Sequence, residues 1–338
     1  MSEVRYRCTA RFVRISVALV AGLTGVGAGG CSIPTIFSQP FEQGVYEDIL
    51  ERQAEGMPVA DSKLKDLPPM TAREYESLGD AYLSRNEVAQ AQNKYESALE
   101  LDPGAWQLHY KIGLLMLKSG SPRDSVAHFD AIISADPMNA RGYEGRGRAL
   151  LALREHEQAE VALRRAIDLD SGLWKAREAL GVLYDQLGAF DESIVQYRAA
   201  LAVRRDEPSV LNNLGVAYYL KKDYPKAIET FERAVSFTPE AERARTYNNL
   251  GRAYAKAGSY ARAFESFRRG SDAPTAYNNL GLLYLEEGRA RQAASCFEKA
   301  IQESPSYYPA ANENLVTAKQ DFSQADAGEG VRVAAVCP

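Results

Sequence analysis

The stretch PTAYNNLGLLYLEEGRARQAASCFEKAIQESPSY, residues 274–307, decides the fold. It carries Leu280, Gly281 and Tyr284, then Ala293 and Phe297, and closes on Pro305. Residues 72–105 repeat the pattern as Leu78, Gly79, Tyr82, Ala91, Tyr95 and Pro103. Between the two lie further copies: Gly79, Gly113, Gly147, Gly181, Gly215, Gly251 and Gly281 follow one another at steps of 34, 34, 34, 34, 36 and 30 residues. Steps of three and four put Tyr75, Leu78, Gly79 and Tyr82 on one face of a first helix, and Ala91, Tyr95 and Ala98 on one face of a second. Small residues let two antiparallel helices approach, and the aromatics fill the gaps between neighbouring pairs. Pro103, Pro137, Pro239 and Pro305 stop the second helix, because proline lacks the amide donor and clashes with the preceding turn.

The spacing resembles that of the 34-residue tetratricopeptide repeat (TPR). The resemblance implies an all-α, right-handed superhelical solenoid of seven helix pairs, at 72–105, 106–139, 140–173, 174–207, 208–241, 244–273 and 274–307, plus a capping helix at 308–320. Each pair is too small to bury its own apolar face, so pairs stack and stability is a sum over neighbours. Departures carry information. Arg146 stands where the third unit should be apolar, and Ser171 and Arg205 replace the closing prolines of the third and fourth. Glu242 and Arg243 are extra residues before a sixth unit shortened by four, which predicts an irregular corner and a clipped second helix. In the cap, Leu315 is expected to face inward and Glu313 and Lys319 outward.

The amino terminus holds a second signal. Arg5, Arg7, Arg11 and Arg14 precede an apolar run over 15–28, and Gly29 and Gly30 lead into Cys31. A basic start, a short apolar run and small residues read as a secretory signal peptide over 1–30; a membrane span needs about 20 apolar residues. Ala28, Gly29, Gly30 and Cys31 resemble a bacterial lipobox, with Ala28 in place of the commoner Leu. That resemblance implies a diacylglycerol thioether on Cys31, an anchor in which each buried methylene contributes about 0.8 kcal/mol. Ser32 in place of Asp after the cysteine points to the periplasmic face of the outer membrane. Residues 31–71, with Pro34, Pro40, Pro58, Pro68 and Pro69 and a short helix over 46–53, read as lipidated cysteine and tether. Residues 321–338 are expected to be a disordered tail.

The chain has 338 residues, 40 Lys and Arg, 45 Asp and Glu, and a net charge of −5. Without residues 1–31 it has 36 basic and 44 acidic residues and a net charge of −8. That balance, with no basic stripe to displace counterions from phosphates, argues against nucleic acid as partner. Of the remaining cysteines, Cys296 sits beside the inward-facing Phe297, so a buried free thiol is expected ahead of a disulfide with Cys337. The histidines His109, His128 and His156 are read as lying in different repeats, packed or solvated, without metal-ligand spacing. The repeated glycines serve helix packing, so no phosphate-cradling loop is left. Adjacent carboxylates such as Asp191 and Glu192 do not face each other on a helix. No catalytic residue, metal site or cofactor is expected, and the chain is not expected to be an enzyme.

Function is therefore expected from a surface. Asn212 and Asn213, Asn248 and Asn249, and Asn278 and Asn279 precede the Leu and Gly of the fifth to seventh units, and Asn314 precedes Leu315 in the cap. Units one to four carry Ser77, Lys111, Gly145 and Ala179 where the second Asn stands. An amide offers both donor and acceptor to a peptide group. In resembling repeat proteins the second Asn points into the concave groove, so Asn213, Asn249 and Asn279 are the first candidates for partner binding. The alternative is that these residues cap or bridge neighbouring first helices. Leu114, Leu117, Leu151, Val182, Val216, Tyr219, Leu282 and Leu285 fall at first-helix positions that face the concave side in the family, which suits a peptide or helix with apolar anchors.

Signal, lipid cysteine, repeats and Asn-Asn-Leu-Gly motifs look like the tight-adherence (Flp) pilus assembly lipoproteins, and less closely like the pilotins of type IV pilus secretins. By that resemblance the partner is an outer-membrane secretin or one of its accessory proteins. Two alternatives stay open: an adaptor for periplasmic peptidoglycan hydrolases or a protease, and an accessory subunit of polysaccharide export.

Overall fold

The computed structural model describes residues 69–326 and Cys337, with side chains through Asp321 and at Cys337. The signal segment, Cys31, the tether up to residue 68, residues 327–336 and residue 338 lie outside the described residues. Among the described residues there are fifteen α-helices, one 3-10 turn and no strand. They are α1 (Ala72–Ser84), α2 (Val88–Leu101), α3 (Trp106–Lys118), α4 (Pro122–Ala135), α5 (Ala140–Ala152), α6 (His156–Leu169), α7 (Trp174–Gln186) and α8 (Phe190–Val203). There follow α9 (Pro208–Leu220), α10 (Tyr224–Phe237), the 3-10 turn (Glu240–Glu242), α11 (Ala244–Lys256), α12 (Tyr260–Gly270), α13 (Ala273–Glu286), α14 (Ala290–Glu303) and α15 (Pro309–Asp326). Helices α1 to α14 form seven pairs, each packed against the next, and α15 closes the stack on α14: a TPR-like solenoid.

Local chemistry starts and stops these helices. Thr71 opens α1 with a capping box: its backbone N–H donates to Glu74 Oε2 at 2.7 Å, and its hydroxyl accepts from the Glu74 N–H. Each first helix ends in a left-handed residue, in turn Asn86, Gly120, Arg154, Gly188, Lys222, Gly258 and Gly288. The wrap is of the Schellman type: the Asp223 N–H returns to the Tyr218 carbonyl at 2.9 Å, and the Lys222 N–H to that of Tyr219 at 2.9 Å.

The repeated glycine is there for approach between helices. A Cβ on Gly215 would lie 2.6 Å from the Phe231 ring, and one on Gly281 would lie 2.5 Å from Phe297. Those rings are almost fully buried, at 1% and 0% exposure. Adding a methyl at such a contact overpacks it, at a cost of about 1–3 kcal/mol. The period is thus a period of close helix crossings, each filled by the side chain sixteen residues on, an aromatic in six units and Leu163 in the third.

From the second pair onward each first helix also packs on the first helix of the next pair, whereas second helices make no comparable contact with one another. The array therefore curves with its first helices inside. The corner expected at the sixth unit is present. The turn at Glu240–Glu242 precedes α11, and α12 has 11 residues where α14 has 14. Gly270 ends α12 so close to α11 that a Cβ there would lie 2.9 Å from the Ala244 carbonyl oxygen.

Three expectations need correction. The last helix does not stop at 320 but runs to Asp326, because no glycine or proline interrupts the chain before Gly328. In its first turns Leu315 packs inward and Lys319 pairs with Glu298 at 2.9 Å. Cys296 is not a free thiol: it is disulfide-bonded to Cys337, with Cα atoms 5.1 Å apart. Cys296 is buried in the same core as Phe297, as expected, but Cys337 is buried there too and supplies the partner sulfur. Lys299 Nζ donates to the Cys337 carbonyl at 2.6 Å, and the Cys337 N–H donates to Ser295 Oγ at 3.3 Å. Finally, His109 on α3 and His128 on α4 belong to one helix pair and meet, Nδ1 to Nδ1 at 3.0 Å. His156 stands apart at the start of α6.

Candidate functional site

The inner face is built from two columns of residues, three and two places before each repeat glycine. Their side chains form rungs between successive first helices. Lys111 Nζ reaches Glu76 at 2.8 Å, and Asn213 Nδ2 donates to Glu178 Oε1 at 3.2 Å. Asn249 Nδ2 donates to Asn212 Oδ1 at 3.0 Å, and Asn314 Nδ2 to Asn278 Oδ1 at 3.0 Å. In each rung the donor sits two places before its glycine or, in the cap, one before Leu315, and the acceptor three places before the preceding glycine. The acceptors Asn212 and Asn278 are buried, so the rungs satisfy groups that would otherwise be costly to desolvate.

Three rungs are missing. Gly145 has no side chain to offer Tyr110, and a Cβ there would lie 2.1 Å from the Phe129 ring. Ala179 cannot donate to Glu144, whose carboxylate is fully buried and whose Oε2 has no hydrogen-bond partner. Its other oxygen accepts from the Tyr110 hydroxyl at 3.1 Å and lies 3.4 Å from Arg148. At the third gap Asn279 does not reach Asn248, and the Asn248 Oδ1 is buried without a partner. This is the corner, where the short α12 brings Gly270 against Asn248: a Cβ on Gly270 would lie 3.3 Å from that oxygen. Burial pushes the Glu178 carboxyl above its ordinary value, against the lowering hydrogen bond from Ser209. Burial, followed by the Glu144 charge, pushes the Tyr110 hydroxyl up.

The candidate residues are thus divided. Asn212 and Asn278 are buried acceptors inside rungs. Asn213 and Asn249 are half-buried, and their amide N–H groups are engaged on the preceding helix. For these four the geometry realises bridging between first helices. Asn279 is half-buried and makes no side-chain hydrogen bond among the described residues, so its whole amide is open to a partner. Leu114, Leu117, Leu151, Val182, Val216, Tyr219, Leu282 and Leu285 are all half-buried, packed on the core beneath with one side toward the inner face. Arg252 interrupts the row and lies 5.5 Å from the Tyr219 ring, whose neighbour Tyr224 is 5.7 Å away. Glu76, Glu144 and Glu178 were legible only in the column preceding the second-Asn column, where they align with Asn212, Asn248 and Asn278. Among the described residues no helix is long and apolar enough to cross a membrane, and no group of three or more metal-ligating side chains is present.

Tetratricopeptide repeat family models match residues 206–274, 110–173 and 274–307, and a TPR repeat model matches 79–120 and 184–222. The type IV pilus assembly protein PilF of Pseudomonas aeruginosa is 33% identical over 160 residues, covering 47% of this chain and 64% of that one. The BBSome complex member BBS4 of Bos taurus is 31% identical over 131 residues, 39% of this chain and 25% of that one. The chain spans only about a quarter to two thirds of the length of these two relatives. Among solved structures, the APC/C hetero-tetramer Cut9-Hcn1 superposes with a TM-score of 0.54 at 21% identity, covering 73% of this chain and 52% of that one. Pseudomonas aeruginosa PilF does so with a TM-score of 0.51 at 21% identity, covering 64% of this chain and 96% of that one.

Proposed function

The chain is a tetratricopeptide repeat protein, and on that premise we propose that it is a lipid-anchored periplasmic scaffold for assembling a pilus or secretion machine at the outer membrane. The observation that carries the scaffold reading is the inner face of α9, α11 and α13. There Tyr219, Leu282 and Leu285 offer apolar footholds and Asn279 an unengaged amide, with no reactive group among them. Such a face suits an extended peptide or a helix with apolar anchors. The assignment to pilus or secretion assembly draws on the likeness to PilF and on the resemblance of the N-terminal layout to the tight-adherence pilus lipoprotein TadD. The partner so proposed is an outer-membrane secretin or an accessory protein of one. Attachment is assigned to Cys31, whose acyl chains would hold the array at the membrane while residues 32–71 lift it off the surface.

Fractionation tests the anchor: wild type is expected in the outer membrane and Cys31→Ala, once its signal is cleaved, in the soluble periplasm. If Cys31→Ala stays with the outer membrane, the lipid anchor is wrong. Affinity purification of the wild type under the same conditions is expected to bring down a secretin or its accessory protein. Recovery of only peptidoglycan hydrolases, a protease or polysaccharide-export components would move the protein to another machine.

A further inference from the structure

The outer face, formed by the second helices, has one joint unlike its neighbours. Tyr184, Tyr218 and Tyr254 each stand three places after a repeat glycine and reach back to the second helix of the preceding pair. The Tyr184 hydroxyl donates to Glu160 Oε1 at 2.7 Å and accepts from Arg164 Nη2 at 2.6 Å. The Tyr254 hydroxyl donates to Glu232 Oε1. The Tyr218 hydroxyl accepts from Arg198 Nη2 at 2.6 Å, but its own hydrogen has no acceptor among the described residues. The reason is in the sequence: Ile194 stands where Glu160 stands one repeat earlier, and Arg198 where Glu232 stands one repeat later.

Tyr218 is 5% exposed and lines a groove, with the unmatched donor at the end of its ring. Arg198 and Lys226 flank its ring at 5.8 and 5.7 Å. The groove, about 480 Å³, is lined by Arg198, Arg205, Tyr218, Lys226, Glu229 and Arg233. Asp223 pairs with Lys226 at 2.5 Å and Asp206 receives the Arg233 Nε at 2.8 Å, but Arg198 and Arg205 have no carboxylate within pairing distance among the described residues. The equivalent groove one joint on, about 470 Å³, matches Arg262 and Arg269 with Glu232 and Glu265 and is balanced. An acidic chain of net charge −5 thus leaves two guanidinium groups without a carboxylate partner in one groove with the Tyr218 hydroxyl, where Glu229 is the single carboxylate of the lining against Arg198, Arg205, Lys226 and Arg233.

We infer that this groove binds an oxyanion, a carboxylate or phosphate group, with Arg198 and Arg205 supplying charge and the Tyr218 hydroxyl a hydrogen bond. Planar guanidinium groups suit both oxyanions, and a charge-assisted hydrogen bond from the tyrosine hydroxyl fixes one oxygen. The site lies on the face opposite the proposed partner groove and does not depend on that reading.

The test follows arginine Nε–H resonances of the purified full-length protein titrated with inorganic phosphate and, separately, acetate, at ionic strength held constant with chloride. Saturable shifts at Arg198 and Arg205 are expected. Tighter saturation by phosphate assigns the natural group to a phosphate, and equal or tighter saturation by acetate to a carboxylate. Arg198→Glu gives Tyr218 the acceptor that Tyr254 has in Glu232, so it should fold and bind at least about tenfold more weakly; Tyr218→Phe should weaken binding about tenfold. Shifts that do not saturate with either anion, or saturation unchanged in both variants, would overturn the site.

Discussion

Asn249 and Asn279 hold the same place two residues before a repeat glycine, yet they meet different chemistry. Asn249 donates to buried Asn212, while Asn279 faces a gap. Removing the Asn249 amide leaves the Asn212 oxygen desolvated and unpaired, so Asn249→Ala should cost about 1–3 kcal/mol in denaturant unfolding. Asn279→Ala should stay within about 0.5 kcal/mol. Equal costs would mean that the rungs do not hold the first helices. The Asn pairs were plain in the sequence; which member bridges was not, because that depends on the acceptor one repeat back. The contact between His109 and His128 was also missed, although both lie within 106–139. Burial, then the His109 charge, lowers the His128 pKa below its ordinary 6.5, against Glu96 and Asp124, which raise it. A base whose folded pKa is lowered takes up its proton more readily when unfolded. Stability is therefore complete above pH 6.5 and declines as pH falls through 6.5, levelling below the folded value. The melting temperature of wild type should drop over that window, and His128→Gln should flatten the drop.

At the scale of elements, glycine, aromatic and proline spacings were enough to read the helix pairs, because each marks a steric event: a crossing, its filler and a stop. The clipped α12 was legible too, as a deficit of four residues. Its consequence for Asn248 was not, since only the folded packing of α12 on α11 brings Gly270 to that oxygen. The disulfide was missed for a related reason: Cys337 is 41 residues from Cys296, and no helical pattern spans that distance. In the chain-entropy picture a cross-link of this span contributes about 2–4 kcal/mol. Cys337→Ser should lower the melting temperature of the oxidised protein and leave that of the fully reduced protein nearly unchanged. An equal effect in both states would show that the thiol packing, and not the bond, matters.

Across the whole array, stability is a sum over neighbouring pairs, so a surface can vary from repeat to repeat without loss of the stack. That freedom separates the two faces: the inner one carries half-buried Tyr219, Leu282 and Leu285, and the outer one exposed Val161 and Val195. The central claim, that a protein partner lies along the inner face of the C-terminal repeats, is tested most directly by photo-cross-linking in cells with a benzophenone amino acid at Tyr219, Leu285, Val161 or Val195. One discrete adduct is expected, the same protein from Tyr219 and Leu285, and none of it from Val161 and Val195. Adducts of that protein from the outer positions alone would show that the partner does not lie along the inner face.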